Sequence, residues 1–238
     1  MKIRLFVFFL VFHFRAMGAS LPGELSAVDV DRVIEILGFG GATRLLRSAE
    51  PYEAFPGLKI GVELGFIPSK DINALGNQLG SIPTIMFPPR LYVAKGLFLD
   101  LEFIFSFFPS GIISTISSYG GILKWTFLHE AEHSISAAGY GGYTKISAFD
   151  STYEGSDWEF GVVASKDYVR TRPFAGLGLL FASGSVPPSF AKTPKFSGSQ
   201  STIHIFLGLE VELPVNVTLQ FDLMNLSPSG SLFLGKKF

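Results

Sequence analysis

The sequence predicts an all-β fold: an antiparallel up-and-down transmembrane β-barrel of about ten strands, with eight as the alternative, behind a short N-terminal helical segment. Three observations lead there. From residue 57 onward, short segments alternate an apolar face with a face of Gly, Ser, Thr and scattered charge. The chain is hydrophobic, with a mean hydropathy of +0.38, yet no segment reads as a spanning helix, which takes about 20 apolar residues. Charged residues make up only 16% of the chain, against about a quarter in an ordinary soluble domain. An apolar stripe on every strand therefore suits lipid and would overexpose a soluble protein.

Residues 1–18 have the build of a secretory signal peptide. Lys2 and Arg4 precede an apolar stretch from Leu5 to Val11 that continues through Phe14, and Ala16 and Gly18 are small residues placed for cleavage after Gly18. An uncleaved membrane anchor is the competing reading. The chain has no cysteine, which excludes a lipoprotein anchor, disulfides and thiolate metal sites, and fits an oxidising compartment. Removing Lys2, Arg4 and Arg15 takes the basic count from 19 to 16 against 20 acidic residues, a balance near −4. That weak acidity argues against nucleic acid, which would demand a basic stripe. The remaining length is that of one domain.

Residues 19–56 have a different texture. Val30, Val33, Ile34 and Leu37 recur at helical spacing, with Ser26 or Asp29 placed to cap. Gly38-Phe39-Gly40-Gly41 interrupts, and Arg44 to Arg47 is expected to resume the helix. The glycines lack the preceding strand and the Lys-Ser/Thr of a phosphate loop, and read as a helix break. The segment is expected either in the periplasm or inside the barrel as a small plug.

The barrel is expected over residues 57–238. Leu58, Ile60, Val62, Leu64 and Phe66 oppose Lys59, Gly61, Glu63 and Gly65. After a long connection from Pro68 to Arg90, Leu97 to Phe105 sets Leu and Phe against Asp100 and Glu102. Tyr119 to Phe127 opposes Lys124 and Thr126, Ser134 to Phe149 is rich in Gly, Ala and Tyr, and Trp158 to Ala164 opposes Glu159 and Gly161. Arg172 to Ser183 follows, with Pro173 at its start where no ladder donor is needed. Ile203 to Val211 opposes His204, Glu210 and Glu212; Val215 to Leu223 opposes Gln220 and Asp222; a short last segment runs from Gly230 to Phe238. Nine strands are legible, and single-chain bacterial barrels have an even number, so ten are expected with one unread. The aromatic content of 14%, with 25 Phe, fits girdles at the two membrane interfaces, assigned to Tyr92, Trp125, Tyr140, Tyr143, Trp158 and Tyr168.

Asp100, Glu102, Lys124, Glu159, Glu210, Glu212 and Asp222 fall on the polar faces of their strands and are the lumen-facing candidates, with acids in excess. In a small barrel such groups pair and fill the lumen; lining water, they would favour cations. His129-Glu130-Ala131-Glu132-His133 matches the H-E-x-x-H pattern of zinc metalloproteases, which needs both imidazoles one helical turn apart on one face and Glu130 polarising a metal-bound water. Its flanks, Trp125-Thr126-Phe127 and Ser134-Ile135-Ser136, read as strands, so the motif falls in a hairpin connection. No catalytic, cofactor or metal residue is assigned, and the chain is not expected to be an enzyme.

The chain ends in Phe238 after a strand-like segment with Leu232 and Leu234 at alternate positions. That ending resembles the C-terminal signal read by the barrel-assembly machinery, with Lys236 departing from it at a position usually apolar. On this ending and the strand pattern, residues 57–238 resemble a Gram-negative outer-membrane β-barrel protein, small and porin-like or OmpA/OmpW-like in architecture. The resemblance implies residence in the outer membrane, with its lipids and the assembly machinery as partners and no cofactor. The expected function is a narrow pore or small-molecule passage. The alternative is a non-transporting barrel displaying the loops Pro68 to Arg90 and Gly184 to Gln200 for adhesion or contact, and an outer-membrane hydrolase comes third. No solute or surface partner is legible.

Overall fold

Strict alternation builds strands whose apolar side chains all leave by one face, and a sheet of such strands is stable in lipid once its edges are joined. The computed structural model describes residues 19–52, 55, 57–77, 80–108, 116–192, 196–225 and 227–238; the expected leader over residues 1–18 and the turn Pro109-Ser110-Gly111 lie outside them. The strands are β1 (Leu58–Pro68), β2 (Ile85–Met86), β3 (Pro89–Gly96), β4 (Leu101–Phe108), β5 (Ile116–Leu128), β6 (Ser136–Ala148), β7 (Tyr153–Ser165), β8 (Thr171–Ser185), β9 (Ser197–Val211), β10 (Asn216–Met224) and β11 (Ser227–Lys237). Consecutive strands from β3 to β11 pair antiparallel, β3 pairs with β1, and β2 adds two residues to the end of β1. Finally β11 pairs back onto β1, from Lys59↔Lys237 to Phe66↔Gly230, which closes a transmembrane-type barrel of ten strands, β1 and β3 to β11.

Apolar residues face outward all round. On β9 the outward set is Ile203, Ile205, Leu207, Leu209 and Val211, and on β4 it is Phe103, Phe105 and Phe107. At about 3.3 Å per residue and a tilt of about 40°, the β9 stripe spans about 20 Å along the barrel axis, close to the roughly 25 Å band of outer-membrane barrels. Beyond the stripe the outward positions of β8 and β9 become Ser183, Ser185, Ser197, Ser199 and Ser201. Gly57 and Phe238 lie beside the connections 97–100, 129–135, 166–170 and 212–215, here called the turn end. The opposite, loop end carries the described parts of the β1–β3 connection (69–77 and 80–88) and of the β8–β9 connection (186–192 and 196).

Several expectations are corrected. The unread strand is β3, inside and just beyond what reads as a long connection. Leu97 to Asp100 is the turn between β3 and β4, not strand. Tyr92 and Tyr140 do not join a girdle: both point inward and are buried, Tyr92 donating to the Leu45 carbonyl at 2.7 Å and Tyr140 to Glu159 Oε1 at 2.6 Å. A buried phenol needs such a partner, and the lumen supplies it. Trp125, Trp158 and Tyr168 are exposed outside. His129 to His133 does connect two strands, but Glu130–His133 forms a single helical turn, α2.

The N-terminal helix α1 spans Ala27–Ile34. A reciprocal capping box starts it, with Asp29 N–H donating to Ser26 Oγ and Ser26 N–H to Asp29 Oδ2. It buries Val30, Val33 and Ile34 at the loop end. A π-helical turn, Glu35–Phe39, follows, and the chain then enters the barrel. Arg44 to Arg47 does not resume the helix. The glycines mark the entry: a Cβ on Gly40 would stand 2.5 Å from Ile67 Cγ2, and one on Gly41 2.5 Å from Ile146 Cδ1. Only a chain without side chains passes there.

Candidate functional site: the plugged lumen

The alternation that sends apolar residues outward sends polar ones into the barrel, where charge is tolerated only if paired. Among the described residues, the buried ionisable groups on the wall are Lys59 and Glu63 of β1, Arg90 of β3, Glu102 of β4, Lys124 of β5, Asp157 and Glu159 of β7, His204 and Glu210 of β9, and Asp222 of β10. The wall thus carries six carboxyl groups against three Lys and Arg; five are ion-paired, whereas Asp157 is buried with neither oxygen hydrogen-bonded. Residues 37–49 are buried without interruption along the lumen, and they bring Arg44 and Arg47. The segment raises the Lys and Arg count from three to five against the six acids, so charge complementarity helps to hold it.

The contacts run the length of the barrel. Near the loop end, Arg90 reaches across to the segment's carbonyls, Nη1 donating to Ala42 O at 2.9 Å and Nη2 to Gly41 O at 2.5 Å. At mid-height, Thr43 Oγ1 lies 2.8 Å from Ser106 Oγ, and Thr43 N–H donates to Thr144 Oγ1. Arg44 Nε is 2.9 Å from Asp222 Oδ2, and Glu63 is shared by Arg44 and Arg90 at 3.5 and 3.3 Å. Leu46 N–H donates to Gln220 Oε1. Toward the turn end, Glu102 takes both Arg47 (3.4 Å) and Lys124 (3.0 Å). Lys124 also donates to the carbonyls of Ser48 and Glu50, Thr126 to that of Ala49, and Ala49 N–H to Ser165 Oγ. The Arg47 guanidinium stacks 3.3 Å over the Tyr52 ring.

Of the seven residues predicted to face the lumen, Glu102, Lys124, Glu159, Glu210 and Asp222 are buried inside. Asp100 is not: it sits in the β3–β4 turn with its side chain 49% exposed, 3.3 Å from His129 Nε2. The turn ends the alternation one residue before β4, so its parity does not carry to the wall. Glu212 lies just past β9 at the rim, paired at 2.7 Å with Arg172, which also holds Asp167. Lys59, Glu63, Arg90, Asp157, Arg44 and Arg47 complete the lumen and were not among the predicted seven. Alternation alone marks Lys59 and Glu63, whereas the two plug arginines carry no local signal.

Chemistry is constrained by these partners. His204 is clasped between two acids, Nδ1 at 2.7 Å from Glu159 Oε1 and Nε2 at 2.9 Å from Asp222 Oδ1. Both ring nitrogens are thus taken up, and His204 bridges the carboxyl groups of β7 and β10. His129 and His133 do not converge: the first faces Asp100 and the second approaches Glu132 at 3.7 Å. Among the described residues no cluster of His, Cys, Asp and Glu is arranged to hold a metal ion.

No family model matches the sequence, and no curated protein matches it. Solved structures do. Ail, the attachment invasion locus protein of Yersinia pestis, in complex with the heparin analogue sucrose octasulfate, is 12% identical over 76% of this chain and 94% of its own, with a TM-score of 0.31. Neisserial surface protein A is 13% identical over 76% and 96%, with a TM-score of 0.33. A mutant porin of Rh. blastica is 7% identical over 76% and 99%, with a TM-score of 0.23. The fold assignment rests on the strand pairing and closure of the chain itself.

Proposed function

We propose that this chain is an outer-membrane barrel held closed by its own N-terminal segment, a non-conducting body that offers its loop-end cap for contact at the cell surface. The observation that carries the reading is the unbroken burial of residues 37–49 inside the barrel, with Arg44 and Arg47 paired to acids of the wall. The outward apolar belt supports the location. Placement of α1 and the described residues of the β1–β3 and β8–β9 connections at one end supports display.

A second reading, a narrow passage opened when the segment withdraws, is favoured by the charge of the wall. Without Arg44 and Arg47, the five ion-paired acids Glu63, Glu102, Glu159, Glu210 and Asp222 face three Lys and Arg, and water entering such a lumen would carry cations. A disulfide separates the two readings, because the chain has no cysteine of its own and Thr43 Oγ1 and Ser106 Oγ lie 2.8 Å apart. In planar bilayers, the wild type and oxidised Thr43→Cys/Ser106→Cys are both expected to be silent. Reproducible steps in the wild type, abolished in the oxidised variant and restored by reductant, would replace the closed body with a gated passage.

A further inference from the structure

The two ends of the lumen segment lie at opposite ends of the barrel. At the loop end, Ser20 N–H donates to Ser81 Oγ at 3.2 Å and Asn77 Nδ2 to Glu24 Oε2 at 3.1 Å. Leu25 forms a parallel bridge with Ala191, its N–H donating to Phe190 O at 2.7 Å and its carbonyl accepting from Lys192 N–H at 2.8 Å. At the turn end, Ser136 Oγ donates to Glu50 Oε2 at 2.6 Å, and the Tyr52 ring lies 5.1 Å from Lys237 Nζ, next to the chain's last residue. Thr43 is anchored midway on β4 and β6. The segment therefore does not enter and leave by the same mouth. Residues 37–49 reach up to about 45 Å when extended, ample for a belt of roughly 25 Å.

We infer that in the cell the chain crosses the membrane an eleventh time, inside its own barrel, so that Ser20 to Ile34 stands outside the cell while Phe238 remains in the periplasm. This rests on the proposed outer-membrane location, with the longer connections outward and the short turns periplasmic. The N-terminal end is then a fixed part of the outer surface, stitched to both long connections, and open to soluble partners in the medium.

The absence of cysteine makes single-cysteine labelling direct. Glu24→Cys and Ser20→Cys report the N-terminal end, Ser151→Cys the loop end of the wall, and Val169→Cys, where the native side chain is 95% exposed, the turn end. A membrane-impermeant maleimide on intact cells is expected to modify the first three, and Val169→Cys only after the outer membrane is permeabilised. Protection of both Glu24→Cys and Ser20→Cys in intact cells that label at Ser151→Cys would overturn the inference, since the segment would then return to the turn end. Labelling confined to Val169→Cys would overturn it too, by reversing the barrel. Bilayer recording tests closure separately: a silent barrel with a protected N-terminal end removes the threading and leaves the plug.

Discussion

Lys59→Met breaks a clean buried pair. Lys59 Nζ lies 2.7 Å from Glu210 Oε1, both side chains are almost fully buried, and the ammonium also rests 4.5 Å from the centre of the Phe233 ring. At an effective dielectric constant of about 20, charges at this distance attract by about 6 kcal/mol. Desolvation of both ions offsets most of that, so the intact pair contributes little net stability. Removing one member is different, because Glu210 is left charged in the wall with no partner at that distance, and such losses cost about 3–5 kcal/mol. At about 1.4 kcal/mol per decade, that shifts the folding equilibrium by roughly two to three and a half orders of magnitude. Urea titration of reversible folding into phospholipid vesicles measures it directly. Lys59→Met/Glu210→Met should recover most of the loss, since two apolar side chains leave no orphan charge. A single variant within about 1 kcal/mol of wild type, or a double variant no better than the single, would refute the view of the lumen as a set of paired charges.

Other outcomes test the belt, the plug and the connection. Leu207→Arg, at the middle of the outward stripe on β9 and 60% exposed, should cost about 2–4 kcal/mol in vesicles, while Ser183→Arg, beyond the stripe, should be near neutral; equal costs would sink the assigned depth. Gly120→Val should destabilise by about 1–3 kcal/mol through overpacking, because its Cβ would lie 2.2 Å from Thr43 Oγ1 and 2.8 Å from the Tyr143 carbonyl; an unchanged unfolding midpoint would mean that Thr43 is not at the wall. On a gel, the unheated protein should migrate differently from the boiled one, and identical mobility would argue against a detergent-resistant closed barrel. His129→Ala/His133→Ala should leave zinc binding by calorimetry and the unfolding midpoint unchanged, since the two imidazoles face different partners.

Most of the wall was legible because alternation is a local property. A strand's backbone geometry alone sends successive side chains to opposite faces, so Leu58 to Phe66, Trp158 to Ala164 and Ile203 to Val211 announce themselves. Where local chemistry blurs the period, the reading fails. Pro88-Pro89 hides the start of β3, and Lys95 outside with Tyr92 and Ala94 inside inverts its polarity. Leu97 and Leu99 extend the apolar stripe of β4 into a turn where they are simply exposed. Tyr92 and Tyr140 look like girdle residues by type and by position near strand ends, and only their hydrogen-bond partners place them inside.

The sequence by itself determined the all-β class, the outward apolar belt, nine of the ten barrel strands, and which side of most strands is polar. Only the tertiary structure decided what the polar side does. Lys59 and Glu210 are 151 residues apart, and Thr43 and Thr144 are 101; no local period links them. Such partners meet because ten strands close at one circumference and leave a lumen that residues 37–49 fill. Arg44 and Arg47, three residues apart, suit a solvated helix equally well. Their pairing with Asp222 and Glu102 exists because a buried charge must find an opposite one, and the closed wall presents carboxylates there.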